Sequence, residues 1–67
     1  MKHKILVVEY ERDGDYDNFE ILEIEAETVQ EAISKVRKPK SFINRHWGIR
    51  KVWSGEAVVF NGSKMFG

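Results

Sequence analysis

Sixty-seven residues leave room for one small domain, and a chain of this size buries only roughly 60% of its unfolded surface, so its core is thin. Hydrophobic residues at 42% and charged residues at 33% belong to a folded chain rather than a disordered tail. The chain has no cysteine, which excludes disulfide staples, thiolate metal sites and cysteine nucleophiles. Its first apolar run, residues 5–8, is interrupted by Glu9, too soon for a signal peptide or membrane span, so a cytoplasmic location and no membrane partner are expected.

Formal net charge is zero, but it is unevenly distributed. Residues 1–34 set three basic side chains against ten acidic ones, a net of −7, and residues 35–67 set eight basic ones against Glu56, a net of +7. Strand pairing neutralises the two halves against each other, or folding leaves two patches that a partner can read.

Residues 4–11 alternate as a strand, with Leu6, Val8 and Tyr10 on one face and Ile5, Val7 and Glu9 on the other. A second run, residues 18–26, sets Leu22, Ile24 and Ala26 opposite Ile21, Glu23 and Glu25, and the two runs read as a hairpin. Between them, Asp13, Asp15 and Asp17 alternate around Gly14 in a way that suggests a calcium loop. Counted from Asp13, however, an EF-hand would need glycine where Asn18 stands and glutamate where Ile24 stands, with helices rather than strands on both sides. A solvated turn is the expectation.

Thr28 and Glu31 form a T-x-x-E capping box, in which hydroxyl and carboxylate each satisfy a free backbone N–H at a helix start. Val29, Ala32, Ile33 and Val36 then fall on one stripe, and Pro39 stops the helix, which is expected over residues 29–38 with Lys35, Arg37 and Lys38 near its C-terminal end. Residues 40–48 are too apolar for a free loop and read as a packed connection. A strand over 49–53, a turn at Ser54-Gly55, a strand over 56–60 and a type I′ turn at Asn61-Gly62 before a short last strand complete the chain. The expected fold is a single two-layer α+β domain over residues 1–67. It is an antiparallel sheet of four to five strands (β-β-α-β-β with a short fifth strand) with one helix packed on one face. The other face is left for water or a second copy.

No spacing obliges a nucleophile to meet a base. His3 and His46 are distant in sequence, glycines are scattered at turns, and no phosphate-cradling loop is present. The chain therefore reads as noncatalytic, with no cofactor and no metal. Its most distinctive stretch is residues 35–53, where Lys35, Arg37, Lys38, Lys40, Arg45, Arg50 and Lys51 are interleaved with Phe42, Trp47 and Trp53. Basic residues beside aromatics attract phosphates and stack on bases, or form a protein-binding rim around an aromatic anchor. The plainer reading is that both tryptophans fill a core short of large residues. The acidic hairpin offers a mirror image, a phosphate mimic built from Glu9, Glu11, Asp13, Asp15, Asp17, Glu20, Glu23 and Glu25.

The opening strand "ILVVEYE", the junction "IEAETVQEAISKV" and the closing "IRKVWSGEAVVFNGSKMF" together resemble small phage and mobile-element proteins, among them some anti-CRISPR inhibitors of type I surveillance complexes. The resemblance implies a noncatalytic inhibitor that occupies a nucleic-acid-handling surface of a host complex. The expected function is a small cytosolic accessory protein that binds and modulates a larger host protein or nucleoprotein complex. Lys35, Arg37, Lys38, Lys40, Arg45, Trp47, Arg50, Lys51 and Trp53 are the candidate contacts. The alternatives are direct nucleic-acid binding by the same region and a structural homodimer.

Overall fold

A computed structural model of the chain describes residues 1–11 and 16–66, with the backbone alone at 16 and 17. The elements run β1 (Lys2–Tyr10), β2 (Tyr16–Glu25), α1 (Val29–Ser34), β3 (Trp47–Ser54) and β4 (Ala57–Met65). The four strands form one antiparallel sheet in the order β2-β1-β3-β4, and with one short helix they make a small α+β fold. Of the expected aspartate turn, Asp13 and Asp15 lie outside the described residues, and the backbone of Asp17 belongs to β2.

Strands β2 and β3 are each antiparallel to β1, so they run parallel to each other with β1 between them. The chain that joins them must cross β1, and α1 sits in that crossover. The crossover covers one face of the sheet. Ala32, Val36 and Phe42 close a core with Ile5 and Val7 of β1, Ile49 and Val52 of β3, and Ala26; Leu22, Ile24, Trp47 and Phe60 pack around it.

Helix α1 starts where the capping signal places it. The Thr28 hydroxyl accepts the Glu31 backbone N–H at 3.0 Å, but the reciprocal half of the expected box is not formed, because the Glu31 carboxylate turns to Lys35. It ends at Ser34, four residues before the expected stop. The amides of Lys35 and Val36 donate to carbonyls three residues back, a tightened last turn. The Arg37 guanidinium takes up the Ser34 and Val36 carbonyls, and Pro39 biases Lys38 away from helical backbone. Lys35, Arg37 and Lys38 therefore lie at and beyond the helix end rather than in its last turn.

The β3–β4 turn is Gly55-Glu56 instead of Ser54-Gly55. Ser54 pairs with Ala57, and Gly55 takes a φ of 62°, the left-handed conformation that a tight hairpin needs at its first central residue. Asn61-Gly62 is not a turn, and the expected fifth strand is not a separate element. Residues 57–65 form one strand, and neither Asn61 nor Gly62 has the positive φ that a type I′ turn requires. The pair marks a register shift, where Ile49 pairs with Lys64 but Lys51 pairs with Asn61.

A second irregularity decides which residues face the core. Leu6 pairs with Lys51 and Val7 with Ile49, so Arg50 is an extra residue on β3. Regular alternation would put Ile49 with Lys51 and Trp53, and Arg50 with Val52. The bulge instead turns both Ile49 and Val52 toward the helix and leaves Lys51 and Trp53 on the other face.

The connection over 40–46 is packed at Phe42, while Ile43 is 87% exposed. Glu9, expected on an acidic surface, is buried, and its carboxylate accepts the backbone N–H groups of Ile43 and Asn44. The Tyr10 N–H donates to the His46 carbonyl at 2.8 Å, and Ser41 donates to the Glu20 carboxylate at 2.9 Å.

Candidate functional site

Residues opposite one another in an antiparallel pair share a face of the sheet. Lys4, Leu6, Val8 and Tyr10 of β1 point away from α1. Beside them stand Glu23, Ile21 and Phe19 of β2, then Trp53, Lys51 and Gly48 of β3, and at the β4 edge Val58, Asn61 and Met65. This face carries large apolar side chains in the open. Phe19 is 64% exposed and Ile21, beside a partly buried Leu6, 55%, while Val58, beside a partly buried Trp53, is 49% exposed. A water-facing strand surface ordinarily carries polar residues at such positions.

The Lys51 ammonium lies over the Trp53 ring, 5.6 Å from its centroid, where the ring's negative face attracts it. Lys4 pairs with Trp53 on one side and Glu23 on the other. Lys2 pairs with Glu25, whose carboxylate accepts the N-terminal ammonium of Met1 at 2.9 Å. That hydrogen bond and the ammonium's charge, with smaller help from Lys2 and His3, hold the Glu25 carboxyl below its ordinary value. Acidic and basic side chains thus alternate across one end of the face, where Trp53 and Val58 continue the row of Glu23 and Lys4, and Phe19, Val8 and Met65 make an apolar row nearer the other end.

The candidate contacts of the 35–53 stretch are dispersed. Lys51 and Trp53 lie on the open face. Trp47 lies on the opposite face, packed on the core, with its ring 4.8 Å from that of Phe66. Arg50 donates to the Gly62 carbonyl at 2.6 Å. The Lys35 ammonium donates to the Glu25 carbonyl at 2.9 Å and pairs with Glu31 at 3.3 Å, and Arg37 caps the helix end. Lys38, Lys40 and Arg45 are exposed along the connection. These residues do not share one surface.

Phe19, Ile21, Leu6, Val58 and Lys4 belong to the face but not to the candidate contacts read from the sequence. The signal was present in β2, because Phe19 and Ile21 share the parity of Glu23 and Glu25, which places two large apolar residues on the polar side of the strand. His3, on the covered face, is buried, and its Nδ1 has no hydrogen-bond partner among the described residues. Among those residues no cluster of histidine and carboxylates has metal-site geometry, and no helix is long and apolar enough to cross a membrane. Neither a scan against protein-family models nor searches of curated proteins and solved structures returned a match.

Proposed function

We propose that the chain is a noncatalytic cytosolic accessory protein that binds a larger protein or nucleoprotein assembly through the open face of its sheet. The observation that carries this reading is one preformed face that holds exposed Phe19 and Ile21 on β2 and, across the sheet, Trp53 beside the exposed Val58 of β4. Trp53 is the anchor. A partly buried indole loses little conformational freedom on docking, and an aromatic in the centre of a contact supplies much of its binding energy. Lys4, Lys51 and Glu23 form a mixed rim that orients the partner. The resemblance to small phage inhibitors makes a host surveillance complex the first partner to try.

A second reading, direct binding of nucleic acid, draws on Trp53 beside Lys51 and Lys4, an aromatic with two cations. Dispersal of the other basic residues speaks for the protein partner.

The test is a pull-down from bacterial lysate, treated with nuclease, using the wild-type chain and a Trp53→Ala variant whose circular dichroism is unchanged. A discrete complex held by the wild type and lost by the variant supports the protein partner. Retention that disappears with nuclease, falls steeply with salt and is abolished by Lys51→Glu supports nucleic acid. Retention unaffected by Trp53→Ala overturns the anchor. A concentration-dependent dimer in sedimentation that Trp53→Ala dissociates assigns the face to a second copy of the chain.

A further inference from the structure

On the other side of the sheet, α1 leaves strand β4 uncovered. The helix is only six residues long, and the core beneath it is closed by Ala32 and Val36 over β1 and β3. Between the helix and β4 runs a groove of about 660 Å³. Its apolar wall is formed by Ile33 from the helix, by Val59 and Phe60 from β4, and by Phe66 just after it. That volume falls within the roughly 300–1,000 Å³ typical of small-molecule sites.

Among the described residues the charges lining the groove have one sign: Arg37 and Lys64 are both part of the wall, and no aspartate or glutamate is. Arg37 is held in place by its hydrogen bonds to the Ser34 and Val36 carbonyls, and among the described residues neither cation takes part in an ion pair. An apolar trough whose two cations meet no acid among the described residues is complementary to one kind of ligand: an apolar body that ends in an anion.

We infer that this groove binds a small amphipathic acid, of the class of a medium-chain fatty acid. Its chain lies along Ile33, Val59, Phe60 and Phe66, and its carboxylate meets Lys64 and Arg37. The site is on the covered side of the sheet, away from Trp53, and is independent of the partner-binding face.

The experiment is a two-dimensional amide NMR titration of the full chain with dodecanoate and dodecylammonium, each below its micelle concentration, and with dodecanol below its solubility limit. Dodecanoate shifts resonances of α1 and β4 in a saturable way. Dodecanol and dodecylammonium bind at least ten-fold more weakly, and each methylene removed from the acid weakens binding about four-fold. Lys64→Glu reduces dodecanoate affinity by at least ten-fold, Lys64→Gln by less, and Lys51→Glu on the opposite face leaves it unchanged. Absence of saturable shifts, equal binding of dodecanol, insensitivity to both Lys64 variants, or shifts confined to the Phe19 and Trp53 face would each overturn the assignment.

Discussion

Glu9 of β1 holds Ile43 of the connection: its carboxylate Oε2 accepts the Ile43 backbone N–H at 2.6 Å and shares that oxygen with the Asn44 N–H. Only 3% of Glu9 is exposed, so the carboxylate has exchanged water for two amides. Hydrogen bonds to a charged acceptor contribute more than neutral ones. Glu9→Gln keeps the shape and removes the charge. It is expected to cost about 2 kcal/mol, which lowers the melting temperature of a chain this size by roughly 8–16 °C. An unchanged melting temperature in calorimetry would sink this account of the connection.

Gly48 of β3 lies against the backbone of β4. It pairs with Val8 and Met65, and a Cβ there would lie 2.3 Å from the Lys64 carbonyl oxygen and 2.9 Å from the Met65 Cα. Backbone cannot move aside as a flexible side chain can. Gly48→Ala should cost about 3 kcal/mol and open β4 first, because β4 is an edge strand. Hydrogen exchange at β4 amides reports this, and protection equal to wild type contradicts it.

The Thr28 cap is expected to be worth about 1 kcal/mol, the usual cost of replacing such a residue by alanine. In urea, Thr28→Ala lowers the midpoint with an unchanged slope, and Thr28→Ser restores it. Equal loss in both variants would mean that the Thr28 methyl, rather than its hydroxyl, matters.

The two tryptophans should separate binding from folding. Trp47 packs on the core and on Phe66, so Trp47→Ala costs about 2 kcal/mol. Trp53→Ala, on the open face, is expected to cost less and, on the proposed reading, to remove partner binding. Urea unfolding of both variants checks the order, and a larger loss at Trp53 reverses the assignment.

Glu25 titrates low because the Met1 ammonium binds its charged form. A carboxyl whose folded value is depressed stabilises the fold above its unfolded value, and that contribution is lost as pH falls through the folded value. Carbon-detected NMR of the Glu25 carboxyl should give a midpoint below 4.5, rising when the N-terminus is acetylated. No rise on acetylation would assign the shift to Lys2 and His3 instead.

The sequence by itself determined the local features. The start of α1 at Thr28, the alternation that sends Leu22 and Ile24 inward, and the small α+β class follow from capping chemistry and period-two patterning, which act within a few residues. Tertiary structure decided whatever depended on a distant strand. The Arg50 bulge put Ile49 and Val52 on one face and separated Trp47 from Trp53, because pairing to Leu6 and Val7 outweighed simple alternation. Asn61-Gly62 has the composition of a turn, yet β3 holds it extended through pairing on both sides of the shift and the Arg50 bond to the Gly62 carbonyl. Glu9 looked like surface charge until the connection brought two amides to it. Such partners lie 34 and 35 residues away in the chain, and only folding brings them within hydrogen-bond reach.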